Sequence, residues 1–212
     1  MPSRYEPFDV SKLTLQPLAN RDHAMTVADI LPLTGDAPTF IDAGLPDLAD
    51  AIHAAHARGA SVILMIGAHV IKQGASRFVI DLIRRGLVSA VACNGACAIH
   101  DYELARIGAS TESVARYISE GQFGLWRETG DLNDIITAGD AAGLGLGEAV
   151  GKAISESEFP HKDISIFAAA YEAGVPTTVH VGIGYDIIHE HPNVDGAALG
   201  SASYRDFLIF TR

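Results

Sequence analysis

Cysteine is nearly absent: Cys93 and Cys97 are the only two in 212 residues. That excludes a disulfide framework and sets a reducing, cytoplasmic compartment as the expectation. Cations are scarce as well. Fifteen Lys and Arg face 26 Asp and Glu, a formal charge of −11, and non-specific nucleic-acid binding, which rests on Lys and Arg, is excluded. A small phosphate ligand is not, because helix N-termini hold phosphates with backbone N–H groups. Long apolar runs are missing, so no membrane span is expected, and the start Met1-Pro2-Ser3-Arg4-Tyr5-Glu6 lacks a signal-peptide core. What the chain does have is 48% hydrophobic residues against 19% charged, enough for one substantial core. Its 21 glycines gather at segment ends, as strand–turn–helix units require.

Residues 1–40 carry Pro2, Pro7, Pro17, Pro32 and Pro38 and read as an irregular arm packed on a domain of residues 41–212. The cluster Asn20-Arg21-Asp22-His23 lies in that arm without a clear period; a substrate-facing role is its alternative reading. Pro46 opens a helix with Leu48, Ile52 and Ala55 inward, closed by Gly59. His53 and His56 on it read as an exposed pair. Ser61 to Ile66 is the clearest buried strand, ending in Gly67-Ala68-His69. A helix over Ala75 to Arg85 follows, with Phe78, Val79, Leu82 and Ile83 inward, and Gly86 ends it. Val88 to Ala92 is the second buried strand, ending in the side-chain-poor turn Asn94-Gly95-Ala96. Two parallel strands joined by a helical crossover are nearly explicit here.

Helical sequence continues past Glu103 to about Glu120, and Gly121 to Trp126 reads as a loop or hairpin. Residues 131–157 look helical with Gly139, Gly143, Gly147 and Gly151 on one stripe. At about 1 kcal/mol each in lost propensity, that stripe implies close backbone approach to the sheet or to another subunit. Gly143-Leu144-Gly145-Leu146-Gly147 imitates a dinucleotide fingerprint, but no strand precedes it. Asp163 caps a helix to Ala173, closed by Gly174. Thr177 to Val181 is a third strand, ending in Gly182-Ile183-Gly184-Tyr185-Asp186, and a last helix follows Asp195. The expected fold is α/β, a Rossmann-like parallel sheet with helices on both faces.

Three strand ends carry polar residues: His69; Asn94 with His100 and Asp101; Asp186 with His189. Together they point to one small-molecule site along the carboxyl edge of the sheet. Gly67, Ala68, His69, Asn94, Gly95, Ala96, Gly182, Gly184 and Asp186 are the expected ligand-binding set, the bare turns taking phosphates or ribose. His100, Asp101 and Glu103 are the expected acid–base groups, since Glu103 falls three residues after His100 and can fix its tautomer, with an ordinary surface ion pair as the equal alternative for His100 and Glu103. A zinc hydrolase built on Asp186, His189 and His191 is one rival, with His180 a core histidine. A non-catalytic nucleotide-binding or assembly protein is another. Cys93 and Cys97 read as small buried hydrophobes.

The stretches Gly67-Ala68-His69-Val70-Ile71-Lys72, Val88 to Ala96, His100-Asp101-Tyr102-Glu103 and Val179 to Pro192 resemble the deoxyhypusine synthase-like family of NAD-binding domains. The Asn-Gly-Ala…His-Asp-x-Glu pattern also resembles a segment of a bifunctional arginine/ornithine-metabolising family with a related domain. The resemblance spans roughly residues 60–210 and implies a dinucleotide fold, bound NAD, and a homo-oligomer, dimer or tetramer. Deoxyhypusine synthases use a lysine near the C-terminus. The lysines here are Lys12, Lys72, Lys152 and Lys162, none after the last strand, and the chain looks shortened beside that family. The implied function is an NAD-using reaction on a small amine or amino acid, or ligand binding without turnover.

Overall fold

The computed structural model describes residues 3–35 and 41–212; Pro2 and Pro38 of the expected arm, with residues 1 and 2 of the polar start, lie outside the described residues. Its centre is a three-stranded parallel sheet of β2 (Ile63–Ile66), β3 (Ala90–Asn94) and β5 (Thr177–His180), in that spatial order. Ile63 pairs with Ala90 and Ile66 with Cys93; Val91 pairs with Thr177 and Asn94 with His180. The three runs seen in the sequence are therefore parallel neighbours, and Gly67, Gly95 and Gly182 follow their carboxyl ends on one edge. The fold is α/β and Rossmann-like, with helices flanking the sheet. Among the described residues, no helix is long and apolar enough to cross a membrane.

β3 is the buried centre: Val91, Ala92 and Cys93 are all inaccessible, with Cys97 one turn into the next helix. Small side chains let helices approach it on both sides. β2, expected to be buried, is instead an edge strand with Ile63 46% and Met65 72% exposed. A strand at the edge of a sheet has a neighbour on one side only, and none of the described residues covers this face of it. Helix α1 (Gly44–Ala57) buries only Ala55, and Leu48, expected inward, is exposed.

The crossover is split into α2 (His69–Lys72) and α3 (Ser76–Arg84). Phe78 points outward and Ile80 takes its place in the core beside Val79 and Ile83. After β3 comes α4 (Gly95–Ile107), which Gly108 ends in the left-handed conformation, φ +69°. The expected helix to Glu120 is thereby broken into α4, a two-residue strand β4 (Ala109–Ser110) and α5 (Val114–Ser119). β4 pairs antiparallel with β1 (Met25–Thr26) of the arm.

The glycine stripe is broken too. α6 (Arg127–Ala141) and α7 (Leu146–Glu156) are separate helices, and Gly143 makes the turn between them with φ +79°. Gly139, Gly147 and Gly151 do serve close approach, all within the chain. A Cβ on Gly147 would overlap the Thr177 carbonyl oxygen of β5, one on Gly139 the Ala149 methyl, and one on Gly151 the Phe167 carbonyl oxygen. The cap of α8 (Ile166–Ala173) is Ser165, not Asp163, which lies in a short 3-10 turn. α9 (Gly196–Phe210) starts at Asp195 as expected and packs on β5.

Candidate functional site

The Asn94 side chain accepts the Cys97 N–H at 3.3 Å and starts α4 directly off the carboxyl end of β3. On that helix Ala96, His100 and Glu103 share a face by their four- and three-residue spacing. This face lines a cavity of about 330 Å3. Lys72 of α2, Thr111 and Glu112 after β4, and Asp186 beyond β5 complete its polar lining, with Phe123 among the apolar groups. The arm reaches the same cavity through Arg21, which is 4% exposed.

Arg21 and Glu103 form a buried two-pronged ion pair, Nη1 to Oε1 at 2.9 Å and Nη2 to Oε2 at 2.6 Å. Thr129 donates to Oε1 at 2.6 Å and Ser110 to Oε2 at 2.7 Å. Burial alone would raise the Glu103 carboxyl, but the guanidinium and the two hydroxyls outweigh it and hold the group below the ordinary carboxylate range. Glu103 is thus an anion that can only accept. Ser110 must spend its proton on Glu103, so its oxygen accepts from His100 Nδ1 across 2.6 Å. The tautomer follows: the proton sits on Nδ1 and the lone pair of Nε2 is left without a protein partner among the described residues. Burial, with Lys72, Arg21 and His69, brings His100 down to about 4 against the pull of Glu103, so the ring is neutral at pH 7.

Several expected site residues are placed elsewhere. Asp101 faces the other way, fully buried, where its carboxylate accepts the Ser165 hydroxyl and the N–H groups of Ile166 and Phe167. It secures the first turn of α8 beside its Ser165 cap and is removed from the acid–base set. Burial pushes it up to about 6 against those hydrogen bonds. Glu103 acts through Ser110 and does not itself meet a ligand as a free acid or base. Gly95 is not an open cradle: the Asp186 carboxylate rests on it so closely that a Cβ would overlap Oδ2. Burial raises Asp186, and the neighbouring His189 opposes the shift.

The zinc set does not assemble. His189 Nδ1 accepts the N–H groups of Gly184, Tyr185 and Asp186 at 3.2, 3.1 and 3.0 Å. His191 is buried, its Nε2 on the Gly124 carbonyl at 2.8 Å and its Nδ1 against Gly130. Both histidines hold loops, and no cluster of three metal-capable side chains occurs among the described residues. His180 meets Thr178 through Nε2 at 3.0 Å and leans edge-on against Phe210.

The remaining expected groups stay at the edge. Gly67, His69, Asn94, Gly182 and Gly184 are exposed, and Ala68 is buried behind them. A Cβ on Gly67 or Gly184 would meet nothing within 4 Å, so a ligand can reach either backbone. The bare turns at Gly67 and Gly184 leave room along this edge that is compatible with a dinucleotide. Ser110, Thr111, Glu112 and Thr129 are participants that sequence reasoning missed, and Arg21 it named only within the arm cluster, with a substrate-facing role as the alternative reading. Arg21 carried a signal, a cation among apolar residues, while Thr129 carried none.

The family described as "Arginine dihydrolase ArgZ-like, C-terminal, Rossmann fold" matches residues 46–154, just over half of the chain. No curated protein matches. Among solved structures, apo ArgZ, an arginine dihydrolase from the ornithine–ammonia cycle in cyanobacteria, aligns with TM-score 0.48 and 21% identity, over 78% of this chain and 22% of that one. The ternary complex of AgrE with ornithine and NAD+ aligns at TM-score 0.46 and 18% identity, over 73% and 21%. A conserved LOR/SDH protein from Methanococcus maripaludis S2 gives TM-score 0.46 and 16% identity, over 73% and 44%. The chain thus spans from about a fifth to less than half of the length of these proteins. The family matched answers to the arginine/ornithine-metabolising resemblance and not specifically to deoxyhypusine synthases. The chain belongs to the ArgZ-like C-terminal Rossmann-fold family.

Proposed function

We propose that the carboxyl edge of the sheet binds NAD(H) and that the adjoining cavity takes a small amine or amino acid for a redox step at the carbon bearing nitrogen. The observation that carries this is His100, whose tautomer leaves an unpaired Nε2 beside a cavity on the ligand edge of a Rossmann-like sheet. The cavity wall offers both signs of charge: Lys72 for a carboxylate, Glu112 and Asp186 for an ammonium. Bound at the edge, NAD+ would supply the hydride acceptor. The chain's own task is to orient the nitrogen and take its proton on His100 Nε2. Ser110 keeps its bond from Nδ1–H throughout, and the anionic Glu103 behind it stabilises the imidazolium that forms. Arg21 keeps that carboxylate charged, and Phe123 with the arm limits water. Exposed Tyr204, Phe207 and Leu208 on α9 support a homo-oligomer as part of this reading.

Titration calorimetry with NAD+ and NADH, joined to absorbance assays of NAD+ reduction with L-amino acids as probes, tests it. Wild type and His100→Gln are expected to bind nucleotide within a few-fold of each other, with turnover at least about 100-fold lower in the variant. Absence of nucleotide binding by the wild type rejects the reading.

A further inference from the structure

Helix α9 carries two charged residues within its length, Arg205 and Asp206, and both turn into the chain. Arg205 donates to Asp140 Oδ1 at 3.1 Å and to the Leu144 carbonyl at 2.6 Å. The buried Asp206 accepts the N–H groups of Gly147 and Val179 at 2.9 and 2.7 Å. The outer face is left without charge. Ala197, Ser201, Tyr204, Leu208 and Thr211 are exposed on it at alternating spacings of four and three, the seam that one helix offers another. Size changes along that seam: the residues are small at the start of the helix and bulky from Tyr204 onward. Beside it runs a groove of about 310 Å3, lined by Gly200, Tyr204 and Phe207 of the helix and by Val181 and Ile183 after β5. Glycine leaves the floor of this groove bare, since a Cβ on Gly200 would still stand 3.6 Å from Ile183 Cδ1. An exposed apolar patch of this extent marks a contact surface more often than a free one.

Resting on the homo-oligomer of the proposed function but not on its ligand, we propose that α9 is the contact between two copies of this chain, lying antiparallel to α9 of the second copy about a two-fold axis at Tyr204. Such an axis sets each residue against the one that lies as far before Tyr204 as it lies after. Leu208 then faces Gly200 of the second copy, Phe207 faces Ser201 and Thr211 faces Ala197. A bulky side chain meets a small one in the first two of these pairs, and by symmetry each pair occurs twice. Leu208 enters the groove over the bare glycine. Exposed Arg212 arrives beside exposed Asp195, cation against anion. Tyr204 lies near the middle of Gly196–Phe210, so the two helices overlap over nearly their whole length. Two chains of formal charge −11 repel at most approaches, and this face lets them meet without opposing like charges. The overlap buries on the order of 1,000 Å2 in total, the low end for a specific contact, so the dimer is expected to be weak.

The test is sedimentation velocity over a dilution series for wild type, Tyr204→Glu, Tyr204→Lys and an equal mixture of the two variants. Wild type is expected to dimerise. Each variant alone is expected to associate at least about ten-fold more weakly, because like charges meet at the axis. Their circular dichroism is expected to match wild type, since the Tyr204 side chain is 62% exposed in the single chain. The mixture sets glutamate against lysine at the same point and is expected to recover the dimer. Unchanged association of either variant overturns the assignment, and so does a mixture that stays monomeric; both results leave the homo-oligomer and the NAD reading standing. A wild type that is monomeric at every concentration overturns the contact and the homo-oligomer together, while calorimetry with NAD+ and NADH on the same samples decides the ligand reading separately.

Discussion

The edge-strand flank of the sheet and the site flank beyond its carboxyl ends differ in what holds them in place. On one side, β2 leaves Met65 72% exposed and α1 buries a single alanine. On the other, Arg21, Glu103, Ser110 and Thr129 are all at most 4% exposed and exchange charge-assisted hydrogen bonds in a closed set. The difference teaches that burial on the site flank is enforced by polar pairing across long separations, whereas the bare flank has only its hydrophobicity. A buried ion pair does not by itself imply stability. Its effect is to fix one arrangement of the carboxylate, the serine and the imidazole.

The largest break in this contrast is expected from Arg21→Ala. Glu103 is left buried without its cation, at a cost of about 3–5 kcal/mol, read as a lower midpoint in urea denaturation. A loss under 1 kcal/mol would show the pair to be dispensable and the two flanks to be energetically alike.

A middle effect concerns acid. The folded His100 sits at about 4, below its unfolded value near 6.5, so the fold favours the neutral ring. The unfolded chain therefore binds the proton more tightly between those two values. This contribution to stability is whole above the unfolded pKa and is lost as pH falls toward 4. His100→Gln removes it, so the stability difference between pH 7 and 4.5 should shrink by roughly 2 kcal/mol, measured by denaturation at both values. An unchanged pH slope would place His100 in water instead of in the network.

The smallest effect belongs to the bare flank. Met65→Ser should change stability by no more than about 0.5 kcal/mol, because the side chain already meets solvent. A drop of several degrees in melting temperature would mean that this face is covered in solution.

Much of the frame was legible. Small apolar runs closed by glycine identified β3 and β5, and the three carboxyl ends did fall on one edge. The spacing of His100 and Glu103 correctly placed both on one face, although Ser110 stands between them. Asp101 was legible and misread: one residue past His100 on a helix turns the side chain by about 100°, away from the cavity. The break at Gly143 also had its signal, since glycine in the left-handed conformation ends helices. Exposure of Met65 and Leu48 had no signal, because it depends on which element lies opposite. The Arg21–Glu103 pair had none either, being a contact across 82 positions of chain.

That separation has a kinetic side. Leu18 reaches Glu128 across 110 positions and Asp22 reaches Tyr117 across 95. Contacts of such high order form late, since the entropy of closing a long loop is lost before any bond repays it. The helices from α4 to α6 make their neighbour contacts over short stretches and can form first. Refolding should then end with capture of the arm, and the Glu103 carboxylate gains its buried cation only in that last event. Secondary structure would return before ligand binding does.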